Sequence, residues 1–196
     1  IARVTGLYVN NIDSIWIYDQ GRIYLIDSKA TVKQKISPVF KDGSYPMVDT
    51  NFSSWTQKIF YHSGRKSIFY TALSIIRKDY HVCKVVEYSL KDGTSRFYNL
   101  TGVGYEKKAR TDYGWMQLPN VNYTEKDILY NFPFESNVYK INIETKERSS
   151  YGGQSKYTSN LVSKLKLLYS FEEGNKHLIE NVHFFELIHD PKKDLY

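Results

Sequence analysis

Histidine, cysteine and clustered acids are the residues that could carry chemistry in this 196-residue chain. His62, His81, His177, His183 and His189 form neither the i, i+4 pair of a helical zinc site nor the alternating pair of a strand site. His183 and His189 share strand parity but lie too far apart along the chain to hold one ion. No metal is expected, and the histidines are assigned to packing or loops. Cys83 stands among apolar strand residues and reads as a small core hydrophobe rather than a nucleophile. A single cysteine also forbids an internal disulfide or a cysteine-rich zinc site. No G-x-S-x-G elbow, Walker loop or dinucleotide fingerprint occurs, and Gly152-Gly153-Gln154-Ser155 reads as a turn. No cofactor is expected.

What remains is binding chemistry in long polar segments: Tyr45 with Trp55, Tyr113 with Trp115, and Tyr157, accompanied by Arg110 and Lys156. Aromatic platforms beside a few cations suit a sugar, a peptide or a protein partner. The competing reading is that these segments bury their own aromatics as small local cores. The net charge of +6, from 27 Lys+Arg against 21 Asp+Glu, raises the question of nucleic acid. Basic residues are dispersed, however, with only 107–110 and 192–193 locally dense, and most tyrosines fall on strand positions. No nucleic-acid partner is expected.

The elements that must position these residues are strands. Apolar residues make up 41% of the chain and charged residues 24%, which excludes a disordered or collagen-like polymer. No run of about 18 uncharged apolar residues offers a membrane-spanning helix. Eighteen tyrosines favour β structure. One pattern recurs four times: an apolar run, a tight polar turn, then a strand ending in tyrosine. Its copies span 7–18, 59–70, 121–130 and 185–196, and anchored on Ile15, Ile68, Ile128 and Leu195 they return about every 60 residues. A second hairpin follows each of the first three: 22–29 into 32–36; 84–90 through Asp92-Gly93 into 95–98; and 138–143 through 144–146 into 148–151.

Four strands per repeat predict an all-β fold, a β-propeller of four-stranded antiparallel blades. The chain supplies about three blades and the first hairpin of a fourth, within one partial propeller domain over 1–196. Blade boundaries fall near 1–36, 37–98 and 99–151, with a further blade beginning in 152–196. Turns within hairpins are short, whereas the connections 37–58, 99–120 and 152–182 are long, and the segment 72–82 is read as a further extended connection. All of them fall on one face of the disc, where binding function usually gathers. The alternating segment Leu161–Tyr169 is either the inner strand of the next blade or a short helix. Ile1 and Tyr196 read as interior positions, so the chain is expected to be an excerpt, with the remaining blades of the ring supplied by further chain or by a partner.

Among propeller classes, the Trp-Asp dipeptide of WD repeats is absent. The paired glycine of Kelch repeats occurs only once, at Gly152-Gly153. Ser89–Phe97 lacks the spacing of a sialidase Asp box and reads as an Asp-Gly hairpin turn. Segments such as Gly21–Asp27, Asn137–Asn142 and Phe184–Pro191 resemble the TolB-like six-bladed propellers. More narrowly they resemble an uncharacterised family of predicted lipoproteins from Bacteroidota, a domain of unknown function. The resemblance implies a six-bladed ring in the cell envelope and transfers no catalytic residue. The expected function is a non-catalytic binding or scaffolding module that holds a protein, peptide or glycan on its long-loop face. The alternative is a glycan-active or other hydrolytic propeller whose carboxylates converge on the central channel.

Overall fold

Alternating apolar residues bounded by Asp, Asn and Gly turns produce twelve strands among the described residues of the computed structural model. It describes residues 4–19, 21–38, 58–76, 79–102, 119–152, 156–157, 162, 170–181 and 184. The strands form three four-stranded antiparallel sheets, each a simple meander. The first contains β1 (Gly6–Asn11), β2 (Ser14–Asp19), β3 (Arg22–Ile26) and β4 (Val32–Ile36). The second contains β5 (Ile59–His62), β6 (Ser67–Ile76), β7 (Asp79–Ser89) and β8 (Ser95–Asn99). The third contains β9 (Asn120–Tyr123), β10 (Asp127–Asn131), β11 (Asn137–Asn142) and β12 (Arg148–Gly152). One helix, α1 (Phe171–Glu180), follows. The chain divides into two compact units, the first two sheets in one and the third sheet with α1 in the other.

All six expected hairpins of the three repeats are present, and two expectations change. The segment 72–82, read as a connection, is mostly strand: β6 runs to Ile76 and β7 starts at Asp79, making one long hairpin. Its β-branched and aromatic residues favour pairing over a loop. The helix α1 was not anticipated. The signal was local: Ser170 accepts a hydrogen bond from the Glu173 amide at 3.1 Å while the Glu173 carboxylate accepts from the Ser170 amide at 2.7 Å, a capping box. The fourth copy of the hairpin, 185–196, lies outside the described residues, as does most of Leu161–Tyr169.

The repeat extends to turn geometry. Between β3 and β4, β7 and β8, and β11 and β12, one residue adopts positive φ: Ala30 at 60°, Gly93 at 71° and Lys146 at 62°. Each loop is closed in the same way, with Asp27, Ser89 and Asn142 donating their amides to Thr31, Thr94 and Glu147 carbonyls. Only Gly93 adopts that conformation without a Cβ penalty. The Asp-Gly segment is therefore a hairpin turn.

Within the first unit, the core lies between two sheet faces. Trp16, Tyr18, Ile23 and Ile36 of the first sheet meet Ile59, Ile68, Tyr70 and Val86 of the second. Trp16 stacks on Tyr61 at 5.4 Å and Tyr18 on Tyr70 at 5.2 Å. The Tyr18 hydroxyl is buried with no hydrogen-bond partner among the described residues. A buried orphan hydroxyl destabilises, so Tyr18→Phe is expected to add about 1 kcal/mol of stability, or a rise of about 2–4 °C in melting temperature. A fall of similar size in thermal denaturation would show that the hydroxyl is satisfied in solution.

In the second unit, Tyr130 stacks on Tyr139 at 5.0 Å and Phe132 on Phe134 at 5.1 Å. The Tyr130 hydroxyl donates to the Thr101 carbonyl at 2.8 Å. Asn120 and Asn131 are both buried; the Asn131 side-chain amide donates to the Phe184 carbonyl at 2.7 Å and accepts from Asn120 at 3.3 Å. A polar pair on a buried face is tolerated here because it anchors a segment arriving from 53 residues away.

Candidate functional site

The second sheet breaks its own apolar pattern at β7, where Val85-Val86-Glu87 places a carboxylate on a buried face. Register aligns Glu87 with Leu25 of the first sheet and Lys140 of the third, so the acid is peculiar to this repeat. Glu87 is 4% exposed. Its two oxygens are held separately: Arg65 Nε donates to Oε1 at 2.8 Å, and the Tyr98 hydroxyl donates to Oε2 at 2.8 Å. Arg65 reaches inward because the 63–66 turn is fixed from both sides. Its amide donates to His62 Nδ1 at 3.3 Å, and the Lys66 carbonyl accepts from the Leu90 amide at 2.9 Å. His62 thus has a turn-building role.

Above this network opens a cavity of about 230 Å³, lined by Arg65, Ser67, Glu87, Ser89, Asp92, Thr94 and Arg96. It lies at the end of the sheet formed by the β5–β6 and β7–β8 turns. Asp92 is held down to about pKa 2 by the hydroxyl and amide of Thr94 and the hydroxyl of Ser89, with Thr94 Oγ1 at 2.7 Å. It carries no proton to donate at neutral pH. The Tyr98 phenol is pushed above its ordinary value by burial, reinforced by its hydrogen bond to Glu87 and the negative charge there. It remains a donor. The cavity is smaller than the roughly 300–1,000 Å³ of a drug-sized pocket. Its hydroxyls and two arginines suit hydrogen-bonded recognition of a small polar group, and its two carboxylates are both engaged.

Of the residues proposed from the sequence as ligand contacts, the two described ones, Lys156 and Tyr157, are not among those lining this cavity. Lys156 and Tyr157 are exposed, Tyr157 at 95%. Tyr45, Trp55, Arg110, Tyr113 and Trp115 lie outside the described residues. Arg65, Glu87 and Tyr98 were missed because each alone is an ordinary strand or turn residue. Only the register at Glu87, compared across the three repeats, marks the site. Among the described residues, no three His, Cys, Asp or Glu side chains gather closely enough to hold a metal ion, and no helix is long and apolar enough to cross a membrane.

With the three sheets in view, the chain can be compared with known proteins. It is similar to a crystal structure of a DUF4221 family member from Bacteroides vulgatus, with a TM-score of 0.61 and 15% sequence identity. The match covers 92% of this chain and 51% of the other, so the chain spans about half the length of that relative. At this identity the likeness is one of fold: three four-stranded antiparallel sheets matching a domain of unknown function from Bacteroides. No family model matches the sequence, and no curated protein does.

Proposed function

We propose that the three sheets are blades of a β-propeller of the TolB-like, six-bladed kind, and that it serves as a non-catalytic binding or scaffolding module of the cell envelope. The observation that carries this reading is the sorting of connections. Every turn between described neighbouring strands of one sheet is short, and the long segments 37–58 and 100–119 occur only between sheets. In a four-stranded meander those segments leave from the end opposite the first and third turns. Rigid strands thus present long, aromatic-bearing connections at one end, the arrangement in which loops acquire binding roles. Tyr45, Trp55, Arg110, Tyr113, Trp115, Lys156 and Tyr157 supply platforms and cations there for a protein, peptide or glycan. Affinity would come from a few anchors rather than the whole area.

The test uses the double variant Trp55→Ala/Trp115→Ala, with a panel of soluble oligosaccharides and a peptide library as probes. Probes that bind the parent chain should bind the variant at least about 10-fold more weakly, while melting temperature moves by less than about 2 °C. If no probe binds the parent, or if both single variants unfold, the two tryptophans are packing residues and the reading fails.

A further inference from the structure

The cavity of the second sheet lies at the end of its first and third turns, opposite the end from which the long connections leave, and its charged groups belong to this repeat alone. Glu87 faces Arg96 across the β7–β8 ladder; at that register the first sheet carries Leu25 and Gln34, and the third Lys140 and Ser149. All three meanders form regardless, so the fold does not require an acid facing an arginine here. The donors and acceptors of the cavity are unevenly divided. Ser67 donates its hydroxyl proton to the Arg65 carbonyl at 3.3 Å, and Thr94 and Ser89 donate theirs to Asp92, Thr94 at 2.7 Å. With those protons spent, the hydroxyls offer the cavity lone pairs, as do the carboxylates of Asp92 and Glu87. The donor pole is Arg96, beside Arg65. Arg96 is exposed and makes no hydrogen bond or ion pair among the described residues. The two guanidinium groups and the two carboxylates leave the lining without net charge.

We infer that this cavity is a binding site in its own right, for a single neutral saccharide unit. An oxyanion brings only acceptors and would set them against the Asp92 carboxylate and the hydroxyl oxygens. A cation would meet Arg65 and Arg96. A sugar hydroxyl both donates and accepts. Neighbouring hydroxyls of one ring can accept from the planar fork of Arg96 while giving their own protons to Asp92 and to the Thr94 and Ser89 oxygens. Asp92 is fixed in place for that part, because the amide and hydroxyl of Thr94 hold its Oδ1 at 3.0 and 2.7 Å before any ligand arrives. A volume of about 230 Å³ suits one ring rather than a chain of them. The site shares no residue with the long-connection reading above, so either can stand or fall alone.

The test is an NMR titration of the protein with the methyl glycosides of glucose, galactose, mannose and N-acetylglucosamine, and with inorganic phosphate and acetate as anions. At least one glycoside should shift the amides of 65–67 and 89–96 with a Kd of about 1–3 mM, ordinary for a ligand of about a dozen heavy atoms. Because that ligand is uncharged, its Kd should move less than about 2-fold between low and high salt. Arg96→Ala removes an exposed side chain without disturbing the sheet and should weaken the glycoside at least about 10-fold. Lys91→Ala, on the same turn but outside the cavity lining, should leave its Kd within about 2-fold of the parent. The inference is overturned if no glycoside shifts these amides. It is equally overturned if phosphate or acetate shifts them at lower concentration than every glycoside, which would make the cavity an anion site. Shifts that survive Arg96→Ala but vanish in Trp55→Ala/Trp115→Ala would place the sugar on the long connections and also overturn it.

Discussion

Glu87→Ala is expected to cost about 3 kcal/mol of stability, at the lower end of what removing one partner of a buried pair costs. The lower end applies because the Arg65 side chain is 22% exposed, so water recovers part of its solvation once the carboxylate is gone. The Tyr98 hydroxyl, on a residue 3% exposed, loses its acceptor with little water to replace it. For a chain of this size the loss lowers the melting temperature by about 6–12 °C.

The comparison that isolates the mechanism replaces the whole network. Arg65→Met/Glu87→Leu/Tyr98→Phe restores an apolar face like that of Leu25 in the first sheet, and should recover stability to within about 1 kcal/mol of the parent. Equilibrium unfolding in urea measures all three proteins. A loss below about 0.5 kcal/mol for Glu87→Ala would mean the network is water-filled and contributes no more than a surface ion pair. Recovery in the triple variant would also separate structure from function, since the cavity would then have lost its polar floor while the sheet remained intact.

How much of this was legible depends on the range over which each feature is decided. Ile68-Phe69-Tyr70 and its counterparts announce strands because alternation and turn residues act within a few positions. Asp92-Gly93 announces its turn because Gly93 alone supplies positive φ without cost, yet Ala30 and Lys146 adopt the same φ unannounced, carried by the hydrogen bonds closing their loops. The capping box at Ser170 and Glu173 is equally local, but it sits inside 152–182, which reads from the sequence as one long connection. Glu87 was illegible for a different reason. In Val86-Glu87-Tyr88 it has the position of a solvent-facing polar residue, and its burial follows from Arg65 arriving 22 residues away. The same holds for Gly102: a Cβ there would collide with the Glu135 carboxylate, which accepts from Tyr139 at 2.8 Å, a requirement visible only in three dimensions.

Alkaline pH should unfold this protein sooner than its charge alone would suggest. Burial raises the pKa of Tyr18, Tyr98 and Tyr130, so in each the folded state prefers the protonated phenol more strongly than the unfolded chain does. A raised folded-state pKa contributes stability that is complete below the ordinary tyrosine value and is lost as pH climbs toward the folded value. The loss therefore begins near pH 10 and amounts to about 1.4 kcal/mol per group for each pH unit above it. At pH 11 the three tyrosines together should remove roughly 3–4 kcal/mol, a fall of about 10 °C in melting temperature from pH 9. Tyr151 provides the contrast within one molecule. Exposed, with the Ser149 hydroxyl and the Lys140 ammonium beside it, it is shifted below the ordinary value and should ionise first in a 295 nm absorbance titration. Tyr18→Phe and Tyr98→Phe should each flatten the alkaline limb by about a third, whereas Tyr151→Phe should not flatten it, because a phenol whose folded-state pKa is lowered favours the fold more, not less, as pH rises. A limb equally steep in all three variants would assign the loss to lysine deprotonation, and the buried phenols would not be its cause.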